Sequence, residues 1–265
     1  MKSLYESLLD DFDTLNKNST LALIQDFISR NYLFNSKSVQ NVDSMVQISK
    51  KPNKKTGLYE VKCTKKTITI KLSPDAPSLT NDIFTWTTVA GDFIVQNNQN
   101  IITLNGCPES VGGVFKCEAL PNVLSLENSP KTVGGFMCWG MNSVKTLQFC
   151  PIIQNNVSIG YNENLETLKG LEYGSDKINS FTCKNNPKLK EIVSSLPKYV
   201  TKSFETGCNG DWRKDDDANL STLEVINLMN KRIIDFDRNC KITYVSPTGS
   251  SGSNAYQNIS YYVFN

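Results

Sequence analysis

Between residues 84 and 210 the apolar positions fall into a pattern that returns every 20–24 residues. Each unit holds an apolar-x-apolar pair: Phe93/Val95, Phe115/Cys117, Met137/Trp139, Val157/Ile159 and Phe181/Cys183. Successive side chains of a strand point to opposite faces, so each pair predicts a short strand with both members turned inward. Val-Gly-Gly precedes the pair in two units, at Val111, Gly112, Gly113 and at Val133, Gly134, Gly135. It predicts a tight bend, where glycine takes backbone angles that other residues avoid. Behind the pair runs N-x-x-L-x-x-L, clearest at Asn162, Leu165 and Leu168, predicting an arc that turns the chain and buries its leucines. Pro108, Pro130, Pro151 and Pro197 then open the next return segment, where a missing N–H is harmless. One such unit cannot bury its own apolar face, whereas stacked units build a continuous core. The pattern therefore predicts a solenoid of about six coils with a ladder of parallel strands. A drifting period suits stacked loops and would not suit helices in a bundle.

The flanks carry other periods. In residues 1–40, Leu4, Leu8, Phe12 and Leu15, then Leu23, Phe27, Asn31 and Leu33, are spaced as on helices. They predict two helices or a helical hairpin, with Asn18 or Ser19 capping the second, to cover the first coil or to serve in docking or dimerisation. In residues 41–83, "VQISKK", "GLYEVKC" and "TITIKL" alternate and predict a small antiparallel β-meander cap. Residues 211–265 read as a C-terminal α/β cap: an acidic turn, a helix over 220–232, and two strands joined by the flexible "SPTGSSGSNA". Tyr256, Tyr261, Tyr262 and Phe264 in the last strand are a candidate contact surface.

The motif P-x-x-V-G-G-x-F-x-C…L-x-S-L stands here as "PESVGGVFKC…VLSLENSPKTVGG". It resembles the short leucine-rich-repeat-like proteins widespread in tailed bacteriophage genomes. "GLYEVKCTKKTITIKL" followed by "FTWTTVAGDFIV" resembles the strand-rich cap that opens those arrays. The resemblance covers roughly residues 55 to 205. It implies a leucine-rich-repeat-like solenoid, mainly β with irregular return segments, of bacteriophage origin and resident in the host cytoplasm or the virion. It carries over no catalytic residue and no cofactor. Two departures, Trp139 at a small-residue position and "PIIQNN" without its glycine pair, imply uneven curvature and a specialised surface.

Composition narrows the chemistry. The 265 residues include 28 basic and 26 acidic side chains, so the overall field does not point to nucleic acid or membrane. There is no histidine, which removes every mechanism built on a Ser-His-Asp, Cys-His or His-metal set. Eight cysteines form no C-x-x-C pair, and in a reducing compartment they read as small apolar core residues rather than metal ligands or disulfides. Asp211, Asp215, Asp216 and Asp217 lack the spacing and the bidentate glutamate of a calcium loop, and the 246–255 linker lacks a phosphate-loop lysine. The opening "MKSLYESLLDDFDTLNKNS" has acids where a signal peptide needs an apolar run, so the chain is read as soluble and not secreted by signal peptide. No enzyme, metal or cofactor is expected.

A solenoid offers an extended surface instead. The outward strand positions are read as Ile94, Gln96, Lys116, Glu118, Cys138, Gly140, Ser158, Gly160, Thr182 and Lys184. Their mixed, mostly uncharged character suits another protein: a virion subunit that the chain decorates, a host or defence protein that it neutralises, or a second copy. The alternative partner is nucleic acid, held by Lys50, Lys51, Lys54, Lys55, Lys65 and Lys66; residues 50 to 71 contain eight lysines against one acid, Glu60. Lysines on turns and edge strands also serve solubility and block edge pairing, and neither an arginine cluster nor interleaved aromatics accompany these.

Overall fold

The computed structural model describes residues 4–35, 44–80, 82–207, 209, 228, 231–237, 240–245 and 256–259. The expected acidic turn, nearly all of the expected helix over 220–232, the 246–255 linker, Cys208, Tyr261, Tyr262 and Phe264 lie outside that description.

Among the described residues, one long α-helix, α1 (Leu4–Asn31), leads into fifteen strands of a single sheet. They are β1 (Tyr32–Asn35), β2 (Gln47–Ile48), β3 (Tyr59–Cys63), β4 (Thr69–Leu72), β5 (Phe84–Val89), β6 (Phe93–Gln96), β7 (Ser110–Glu118) and β8 (Thr132–Trp139). After these come β9 (Ile152–Gly160), β10 (Glu172–Tyr173), β11 (Lys177–Lys184), β12 (Tyr199–Gly207), β13 (Asp235–Phe236), β14 (Lys241–Val245) and β15 (Tyr256–Ile259). From β4 through β6, β7, β8, β9, β11 and β12 to β14 every pairing is parallel. Some rungs are one strand interrupted midway: β3 with β4, β5 with β6, β13 with β14. The molecule is a β-solenoid of about seven turns with a parallel strand ladder. Partners Ile70, Phe93, Phe115, Phe136, Val157, Phe181 and Phe204 stand in one column at intervals of 21–24 residues.

The interior is built by the alternation expected of strands. Phe93, Val95, Phe115, Cys117, Val157, Ile159, Phe181, Cys183 and Phe204 are buried, and the return arcs bury Leu104, Leu126, Leu147, Leu165, Leu168, Leu189 and Ile192 beneath them. The column rings stack face to face, with centroids 6.4 Å apart for Phe93–Phe115, 6.2 Å for Phe115–Phe136 and 5.5 Å for Phe181–Phe204. Each fully buried phenylalanine stabilises by about 1.5–3 kcal/mol relative to an exposed one. Pro108, Pro130, Pro151 and Pro197 are buried one or two residues ahead of β7, β8, β9 and β12, so they lead into the strand rather than the return segment.

Several expectations need correction. Residues 4–31 form one helix, and Asn18 and Ser19 lie exposed within it. Either residue costs only about 0.5 kcal/mol inside a helix, too little to end one that has a face to bury. That face is Ile24 and Ile28, with Phe27 against Phe84 at 5.7 Å; Leu23 and Leu33 are exposed. The antiparallel meander is real only between β2 and β3. β3 and β4 run parallel to β5 and β6, so the ladder begins at Tyr59 rather than residue 84. β4 pairs antiparallel with β1, and β14 with β15, which places an antiparallel strand at each end of the sheet.

The Val-Gly-Gly glycines lie inside β7 and β8, and none of the four has a positive φ. Their reason is close approach. A Cβ on Gly134 would stand 2.2 Å from the Gly112 carbonyl oxygen, and one on Gly113 would stand 2.2 Å from Asp92 Oδ1. That carboxylate accepts the Val114 N–H at 2.7 Å. No helix among the described residues is long and apolar enough to cross a membrane.

Candidate functional site

Opposite the buried column, two rows run along the outer sheet face. In register, the first is Lys71, Ile94, Lys116, Met137, Ser158, Thr182 and Glu205. The second is Gln96, Glu118, Trp139, Gly160, Lys184 and Gly207. The expected surface positions Ile94, Gln96, Lys116, Glu118, Ser158, Thr182 and Lys184 fall on these rows and are half-buried. Gly160 shares the second row but is buried, and Gly140 lies one residue beyond β8 with φ +60°.

Cys138 is not on this face. It is fully buried and pairs with Cys117 and Ile159, while Met137 and Trp139 point outward. The cause is a bulge. β7 spends three residue steps from Val111 to Val114 where β8 spends two from Val133 to Gly135. Aligning the two units on Val-Gly-Gly therefore misplaces everything after it by one residue, and one residue exchanges the faces of a strand. Burial pushes the Cys138 thiol up to about 12, and raises the Cys107, Cys117 and Cys150 thiols too, so these side chains sit as neutral apolar groups.

Trp139 and Tyr161 make the most distinctive feature of the outer face. The indole Nε1 donates to Ser158 Oγ at 2.8 Å. The ring also covers Gly160: a Cβ there would lie 3.5 Å from Nε1. Tyr161 follows β9 with φ +58°, its N–H bonded to the Lys184 carbonyl, and its ring is 5.3 Å from the Trp139 ring at 55°. Tyr161 is 50% exposed. Thus a hydrogen bond and a side-chain gap in the next strand pin the indole, and the phenol stands beside it in solvent. Ion pairs bracket this pair, Lys116 to Glu118 at 2.5 Å and Lys184 to Glu205 at 2.8 Å, all four side chains less than a third exposed. The spacing turns Met137 and Trp139 inward and marks neither Tyr161 nor Glu205; counting 21 residues from Phe115 to Phe136, instead of 22 between glycine pairs, puts Met137 and Trp139 on the outer face.

The lysines lie elsewhere. Lys50, Lys51, Lys54 and Lys55 are exposed on the loop between β2 and β3, and Lys65 and Lys66 are exposed on the turn between β3 and β4. A groove of about 580 Å³ beside β5, bordered by Phe84, Trp86, Pro108 and Glu109, includes none of the expected surface residues. No family model, curated protein or solved structure matches this chain.

Proposed function

We propose that this chain is a non-enzymatic, leucine-rich-repeat-like protein that binds another protein through the outer face of its strand ladder, centred on Trp139 and Tyr161. The observation that carries this reading is the pinned indole beside an exposed tyrosine, held between two partly buried ion pairs. Interfaces concentrate their energy in a few aromatic anchors ringed by polar groups, and an indole already fixed loses little entropy on binding. The rows carry both charge signs, which suits a protein surface better than a track of phosphates. The leucine arcs and the buried asparagines of the coils support the leucine-rich-repeat-like reading. The P-x-x-V-G-G-x-F-x-C resemblance supports a bacteriophage source, within which the protein either decorates the virion or neutralises a host or defence protein.

The test is an affinity pull-down from infected and uninfected cell lysates with the tagged protein and with its Trp139→Ala/Tyr161→Ala variant, read by mass spectrometry. The expected result is one stoichiometric partner that the variant loses at least tenfold. Capsid or tail subunits from infected cells alone would mark a particle component, and one host protein from either lysate would mark a neutralising factor. Identical recovery by both proteins, or no partner for either, contradicts the reading.

A further inference from the structure

The loop between β2 and β3 carries charge that the ladder surface does not use. Ser49 N–H bonds to the Glu60 carbonyl at 2.9 Å, Asn53 N–H to the Leu58 carbonyl at 2.8 Å, and Gly57 N–H to the Asn53 carbonyl at 2.8 Å, so the loop is closed by its own backbone. The Asn53 side chain accepts the Lys55 N–H at 2.9 Å and donates to Glu60 Oε1 at 2.7 Å. Lys50, Lys51, Lys54 and Lys55 project from this frame, all exposed, and none takes part in an ion pair among those of the described residues. Glu60 is the only acid from residue 49 to 66, and it is engaged by Asn53.

Edge protection does not account for this charge. The edge strand β2 is Gln47 and Ile48, without a lysine, and the four cations lie beyond it in the loop. Four like charges within six residues repel one another, and among the described residues no ion pair relieves them. A polyanion would. Lysine presents a point charge on a flexible stem, without the planar fork that reads a base edge or a single carboxylate, so the fit is to repeated phosphates irrespective of sequence. Lys62, Lys65 and Lys66 extend the same sign along the first rung.

From these observations we infer that the lysine loop of residues 49–58 is a second binding site, for the phosphodiester backbone of a nucleic acid. It lies three rungs before Trp139 and does not depend on the proposed protein interface.

The probe is a fluorescently labelled 20-base-pair DNA duplex, titrated with the full chain by anisotropy at 50 and 200 mM salt. Three to four phosphates neutralised on a duplex predict roughly a 40- to 150-fold loss of affinity between those two salt concentrations. Lys50→Glu/Lys51→Glu/Lys54→Glu/Lys55→Glu removes binding at 50 mM while the thermal midpoint stays put, because these side chains lie outside the core. Trp139→Ala/Tyr161→Ala binds the duplex unchanged. Absence of binding, salt-independent binding, or full binding by the quadruple variant overturns the inference. Polyglutamate titrated in place of the duplex stands for an acidic protein, and binding to it alone would likewise overturn the assignment to nucleic acid.

Discussion

Asn162, Asn186 and Asn209 occupy one position in three successive coils, and each serves the coil before it. Asn162 Oδ1 accepts the Met141 N–H at 2.8 Å, and Nδ2 donates to the Cys138 carbonyl at 3.0 Å. Asn186 Oδ1 takes the Asn162 N–H and side-chain amide, and Asn209 Oδ1 takes those of Asn186. All three are buried, so these backbone groups have no water to fall back on. Asn162→Leu keeps the branched shape, orphans the Met141 N–H and removes the side-chain donor to the Cys138 carbonyl, which keeps its bond in the strand ladder. At about 1–3 kcal/mol for an unsatisfied buried group, denaturant unfolding should show a loss of roughly 1–3 kcal/mol. A loss below about 1 kcal/mol would mean that the ladder is not structural. The sequence showed Asn162 as the start of a leucine arc; it could not show which coil the side chain serves, because that depends on stacking direction.

At the level of the element, the glycine pair shows why a motif can be seen and still be misread. Its recurrence was evident, and the expected cause was backbone angle. The structure gives a different cause, the passage of one strand's carbonyl where a neighbour's Cβ would stand. The two glycines of β8 are therefore not equivalent. Gly134→Ala drives a methyl to 2.2 Å from a backbone oxygen, whereas the nearest atom to a Cβ on Gly135 is a methyl of Val114 at 3.3 Å, which can turn aside. Overpacking of this kind costs about 1–3 kcal/mol, so Gly134→Ala should lower stability by at least 1 kcal/mol more than Gly135→Ala in paired denaturant melts. Equal costs would return the glycines to a conformational role. The same bulge that brings these strands together hid the true register of Phe136, Cys138 and Trp139.

Across the whole molecule, the parallel ladder was legible because its signal repeats and each copy corroborates the next. The ends were less so, because each is made once. "GLYEVKC" and "TITIKL" look like a local hairpin, and only their partners in β5 and β6 reveal them as one interrupted rung. The single long α1 is likewise decided by what Ile24 and Ile28 pack against, not by its own spacing. The placement of Trp139 outside and Cys138 inside is the point on which the ladder register and the proposed interface both rest. It can be measured by alkylating the native Met137→Cys variant with iodoacetamide at neutral pH and mapping the peptides by mass spectrometry. A thiol at 137, half-buried on the outer face, should be alkylated in the native protein, while Cys138 and Cys117, buried and with their thiolates suppressed, stay unmodified until the protein is denatured. Rapid labelling of Cys138 with protection at 137 would reverse the two faces of β8 and remove the basis of the proposed surface.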